Sequence, residues 1–150
     1  MKLEHISFQR SKSRSEVPFS QLYNLWLGIE LKSSSYAYAV EPMTELLRRL
    51  EAEVEAPPCW VYTSLLSVIF CRDDVAIYGQ GEKEVFLFTV SYGYGVTNAP
   101  RHDMTAFVIQ DFSNKEHQLA TVDEAVQTVI SILHEAGIVE AGENGESSAR

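Results

Sequence analysis

Between residues 60 and 111 the apolar side chains recur at strand spacing, and on both sides of that stretch they recur at helical spacing. This switch constrains the fold most, because a period of about two and one of about 3.6 cannot be met by a single element. Residues 60–71 hold Val61, Tyr62, Leu65, Leu66, Val68, Ile69 and Phe70; residues 75–78 are short and β-prone. Residues 84–92 read EVFLFTVSY and residues 105–111 read TAFVIQD. Gly79-Gln80-Gly81 reads as a turn, since two glycines accept the positive φ of hairpin loops. Strands apolar at both parities predict a sheet covered on both sides, or one strongly curved. Residues 3–8 and the alternating residues 36–40 add two candidate strands.

The flanking helices carry their own signals. Thr121 followed by Glu124 is a capping box. Val122, Ala125, Val126, Val129, Ile130 and Leu133 then form one apolar stripe, with His134 in the last turn and Gly137 as the stop. A second helix opens at Pro42, whose missing donor costs nothing at a helix start. Met43, Leu46, Leu47, Leu50 and Val54 form its core face, and Pro57-Pro58 ends it. Leu22, Tyr23, Trp26 and Ile29 predict a further helix over about residues 20–32, although Leu25, Leu27 and Leu31 also allow a buried strand. Together these elements predict an α+β fold: an antiparallel or mixed sheet of about four to six strands with two or three helices packed on it.

The chain has 150 residues, 45% of them hydrophobic, which suits one domain with a core needing no staple. We read residues 1–138 as that domain. Within it, Arg10, Lys12 and Arg14 alternate with serines, so residues 10–15 read as a mobile basic connector. Residues 139–150 (VEAGENGESSAR) read as a disordered acidic tail. No apolar run approaches the ~18 residues of a membrane span, and the first residues lack the apolar stretch of a secretory signal. Cys59 and Cys71 sit among apolar neighbours and read as buried thiols of a reducing compartment, so a cytoplasmic location is expected.

With 12 basic and 21 acidic residues the net charge is -9. Such a body repels a phosphate backbone, which argues against direct nucleic-acid binding and favours a basic protein partner. No motif for a nucleophile elbow, a phosphate loop or a metal site is present, and no cofactor is implied. Tyr78-Gly79-Gln80-Gly81 and Tyr92-Gly93-Tyr94-Gly95 lack the Lys-Ser/Thr pair and the helix that phosphate cradles need. The second does place two tyrosines at the head of a polar loop, a good contact surface. Residues 51, 53 and 55 form an acidic strip on one helix. The expected partner-binding residues are therefore Tyr92, Tyr94, Asp103, Glu51, Glu55 and Glu82. The ordinary alternatives are core packing for the tyrosines and a solvated face for the acids.

His102-Asp103 is the one acid-base pair in sequence, but adjacent residues on an extended chain point apart. Cys71, followed by Arg72, is a packing residue before it is a nucleophile. His102 and Cys71 would belong to a ligand pocket between sheet and helix. Three functions follow: a stoichiometric inhibitor or immunity-type protein that neutralises a basic partner, a small-molecule binder or enzyme, and a homodimeric structural subunit. The first fits the charge, the size and the missing catalytic motifs.

Overall fold

The computed structural model describes residues 1–6, 12–13, 18–31, 37–64, 67–72, 86–94 and 105–138. The elements run β1 (Leu3–Ile6), β2 (Lys12–Ser13), α1 (Phe19–Leu31), a 3-10 turn (Ala37–Ala39), α2 (Val40–Glu53), β3 (Cys59–Ser64), β4 (Ser67–Cys71), β5 (Phe86–Tyr94), β6 (Thr105–Asp111), β7 (Glu116–Leu119) and α3 (Val122–Glu135). The strands form one mixed sheet in the order β2-β1-β3-β4-β5-β6-β7. Among the described strands only β1 and β3 pair in parallel, and α1 and α2 supply the crossover that a parallel pair requires. From β3 onward each strand pairs with the next in sequence, as the consecutive strand pattern implies. The α+β expectation is met: the described residues form six strands of four or more residues, a two-residue edge strand and three helices.

Pairing register sorts the side chains into two faces. One face carries the row Val61, Phe70, Phe88 and Asp111, and beside it Val68, Val90, Ile109 and His117. The hydrophobic residues of these rows join Met43, Leu46, Leu47 and Leu50 of α2 and Val126, Val129 and Leu133 of α3 in one core. Each fully buried side chain of this size contributes about 1.5–3 kcal/mol of burial free energy. Leu87 joins the same core as Phe88 because the pairing of β4 with β5 slips between Phe70 and Cys71. A bulge of this kind lets two consecutive residues face inward.

The described helices cover one face only, not both. Part of the two-parity apolar pattern in β5 belongs to that bulge. In β6, Ala106 and Val108 point to the other face and are 7% exposed without entering the core.

Each helix end is satisfied in its own way. The Glu51 carboxylate accepts from the Phe19 N–H at 2.8 Å, the Ser20 N–H at 3.4 Å and the Ser20 hydroxyl, so α2 caps α1. At the far end of α2, the Met1 ammonium donates to the carbonyls of Leu50 (3.3 Å), Glu51 (3.2 Å) and Val54. Helix α3 has the expected capping box between Thr121 and Glu124. It ends in a Schellman turn: Gly137, at φ 78°, donates to His134 O at 3.0 Å and Ile138 donates to Leu133 O at 2.9 Å.

Three local expectations change. Of the alternating residues 36–40, the described residues 37–40 are not a strand: residues 37–39 turn as a 3-10 helix and α2 starts at Val40, so Pro42 is its third residue. Proline fits there because the first-turn N–H groups have no intrahelical acceptor. Strand β7 carries no apolar alternation in its sequence, EHQL, and is held by pairing with β6. Lys12 and Ser13, inside the segment read as a connector, pair with Ile6 and His5. The expected elements at residues 75–78 and 79–81, and the tail at 139–150, lie outside the described residues.

Candidate functional site

The face of the sheet turned away from the helices is the broadest surface with binding character. Its central row reads Tyr62, Ile69, Thr89, Gln110 and Glu116 from β3 to β7. Trp60 stands one step along β3 from Tyr62 on the same face, in register with Glu4 of β1. The β3–β4 side is thus aromatic and aliphatic, while β6 and β7 bring the polar Gln110 and Glu116 beside the buried Ala106 and Val108. Trp60, Tyr62, Ile69, Thr89 and Ser91 are all half-buried, and none of them belongs to the core that the described helices share. Burial raises the Tyr62 pKa, followed by the influence of Cys71. Among the described residues Glu4, ion-paired with Lys2 at 3.7 Å, lies at one side of this face and Glu116 at the other.

The tyrosines do not share one face. Tyr62 is outward, whereas Tyr92 is inward by register and packs edge-on against Phe107 with centroids 4.9 Å apart. Tyr38 of the 3-10 turn lies 6.3 Å from Tyr92. Its hydroxyl would meet a Cβ on Gly93 at 3.2 Å, so glycine there lets the turn approach β5. Of Tyr94 only the backbone, at the end of β5, is described; His102, Asp103 and Glu82 lie outside the described residues.

The acidic strip on α2 is largely committed inside the fold. Glu51 caps α1, and Glu53 accepts from Arg49 at 2.8 Å, with Asp123 of α3 on the same guanidinium. Arg48 holds Glu45 one turn back. Glu55 is exposed and has no ion pair among the described residues. Surface pairs of this kind contribute about 0–1 kcal/mol each, but they do remove the strip's free charge.

Cys71 is 1% exposed, and its carbonyl accepts from the Cys59 thiol at 3.3 Å. Burial, then the neighbouring Cys71, pushes the Cys59 pKa up to about 12. Neither sulfur lies in the electropositive, partly open setting that a reactive thiolate needs. Both are free thiols, and no group of three metal-ligating side chains occurs among the described residues.

Two features lay beyond sequence reasoning. Asp111, 2% exposed, accepts from the Ser113 N–H and hydroxyl (2.9 and 2.7 Å) and the Lys115 N–H (3.0 Å), while His117 Nε2 stands 3.0 Å from its other oxygen. Burial alone would raise its pKa, but bonds from His117, Ser113 and Lys115 outweigh that and hold it at about 2. This pair closes the β6–β7 turn, where Asn114 takes φ 69°. The other feature is a cavity between the sheet and the end of α3, bordered by Cys59, Leu87, Leu133 and Arg72. Cys71, expected in a ligand pocket with His102, does not line this cavity. No element among the described residues is long and apolar enough to cross a membrane as a helix. No family model, curated protein or solved structure matches this chain.

Proposed function

We propose that this chain is a stoichiometric protein-binding module of the cytoplasm, which neutralises a basic protein partner through the helix-free face of its sheet. One observation carries the reading: Trp60, Tyr62 and Ile69 stand half-buried on a face with acidic residues at its sides, while the opposite face is closed by three helices. Aromatic and aliphatic anchors in the middle with charge at the rim is the arrangement that protein interfaces use. A net charge of -9 adds long-range attraction to a cationic partner. The buried thiols supply no nucleophile. The site therefore shifts from the tyrosine loop and the α2 strip to the outer face of β3 and β4. Glu116 stands at the rim of that face.

The test is capture from the native host at low salt with the wild-type chain and with Ile69→Lys, followed by mass spectrometry. The reading requires one basic protein, recovered at a fixed ratio, released by salt and lost with Ile69→Lys. Capture that survives Ile69→Lys, or no partner at all, contradicts it. Light scattering over a concentration series separates a homodimer, which would replace the basic partner with a second copy.

A further inference from the structure

The cavity at the end of α3 has a volume of about 230 Å³, and three backbone devices build it. The β5 bulge turns Leu87 inward. The Schellman turn after α3 folds Ile138 back above Leu133. The Pro57-Pro58 segment closes the side next to Cys59, and prolines bring no N–H donor to that wall. The walls are therefore apolar. Cys59 adds no charge, because its thiol is buried and donates to the Cys71 carbonyl.

One charged side chain borders the space; Met1 lines it too, but its ammonium is taken up by the carbonyls of Leu50, Glu51 and Val54. Arg72 follows β4 at the rim, where its Nη2 donates to the Ala136 carbonyl at 2.9 Å. That bond ties the guanidinium to the last turn of α3. Its other N–H donors have no partner among the described residues. A planar fork held at one point is suited to a carboxylate, which it can meet with two parallel hydrogen bonds.

We infer that this cavity binds a small monocarboxylate with an aliphatic tail, the carboxylate on Arg72 and the tail against Leu87, Leu133 and Ile138. The Arg72 guanidinium, with donors left over, selects one negative group, and the leucine, isoleucine and proline lining suits an apolar tail. The volume lies below the ~300–1,000 Å³ of drug-sized pockets, which favours an acid of about six to ten carbons. The site is separate from the outer sheet face, so either can stand without the other.

The experiment is a methyl and amide NMR titration of the full chain with octanoate, with octanol and octylamine as chain-matched controls. Octanoate should give saturable shifts at Leu87, Leu133 and Ile138. It should bind about tenfold or more tighter than octanol, the usual scale for a charged hydrogen bond. Arg72→Gln should bring octanoate down to the octanol level and leave octanol unchanged. Arg72→Lys should restore part of the preference, since it keeps charge and loses the fork. Arg72 is exposed, so these variants keep the fold, and their native spectra provide the control. Octanol or octylamine binding as tightly as octanoate overturns the inference. So do octanoate shifts mapping elsewhere, or no saturable shift below the concentration at which octanoate forms micelles.

Discussion

The two faces of this sheet differ by one residue of register and have opposite fates. Val61 and Phe70 point to the helices and are fully buried; Tyr62 and Ile69, their neighbours in sequence, point away and stay half-open. Alternation along a strand makes this inevitable once one face is chosen. The three helices choose it, because α2 and α3 each bring a stripe of aliphatic residues to the same side. The outer face stays outside that shared core, even where Cys71, Ala106 and Val108 are buried on it; under the proposed function its aromatic residues serve a partner.

The comparison breaks most readily on the inner face. Phe88 stacks on Phe70 at a centroid distance of 4.3 Å and is fully buried. Phe88→Ala should therefore cost about 3–5 kcal/mol, read as a lower midpoint in denaturant unfolding. A smaller effect belongs to Asp111, the polar end of the same inner row. Asp111→Asn should cost about 1–3 kcal/mol, because its acceptor set for Ser113, Lys115 and His117 cannot all be kept.

The sign of its pH dependence follows from a pKa held down at about 2, against 3.8 for an unperturbed aspartate. The contribution is complete above the unfolded value and is lost as pH falls through the folded one. Wild-type unfolding curves should lose about 2 kcal/mol across that acid window through this group. Asp111→Asn should lack that component. Equal acid sensitivity of the two proteins would remove the carboxylate from the account.

Thr121→Ala takes away one half of the α3 capping box and should cost about 1 kcal/mol. A thermal melt reads it, and Thr121→Ser should recover most of the loss. Smallest of all is Ile69→Lys on the outer face. A lysine there keeps an aliphatic stem along the sheet and reaches solvent with its charge. Its stability cost should stay within about 1 kcal/mol.

Much of this fold was legible in the sequence where two signals agreed. Thr121, Glu124 and Gly137 marked both ends of α3, and an apolar stripe lay between them. β6 is bounded as expected because Thr105 and Asp111 flank five residues of strand character. Agreement failed where a segment had only one signal. Tyr-Ala-Tyr-Ala-Val alternates like a strand, but the proline after Glu41 pre-forms a helical turn and pulls the helix start back to Val40. EHQL carries no pattern, so β7 is visible only through the turn that Asp111 closes.

The candidate site was less legible for a different reason. Glu51 looks like a solvated acid until α1 is placed beside it and supplies free N–H groups. Tyr62 and Tyr92 are the same residue type on neighbouring parts of one sheet, and only pairing register puts them on opposite faces. Arg72 is one residue past a strand, and its meeting with Ala136 depends on how α3 ends. Each of these depends on long-range placement, which spacing along the chain does not encode.

The account rests most heavily on the claim that the inner face holds the fold while the outer face binds. Equilibrium unfolding of Ile69→Lys, paired with partner capture by the same variant, tests it most directly. The account predicts a midpoint close to wild type together with loss of the basic partner. A variant that unfolds as Phe88→Ala does, or one that keeps its partner at full strength, would contradict it.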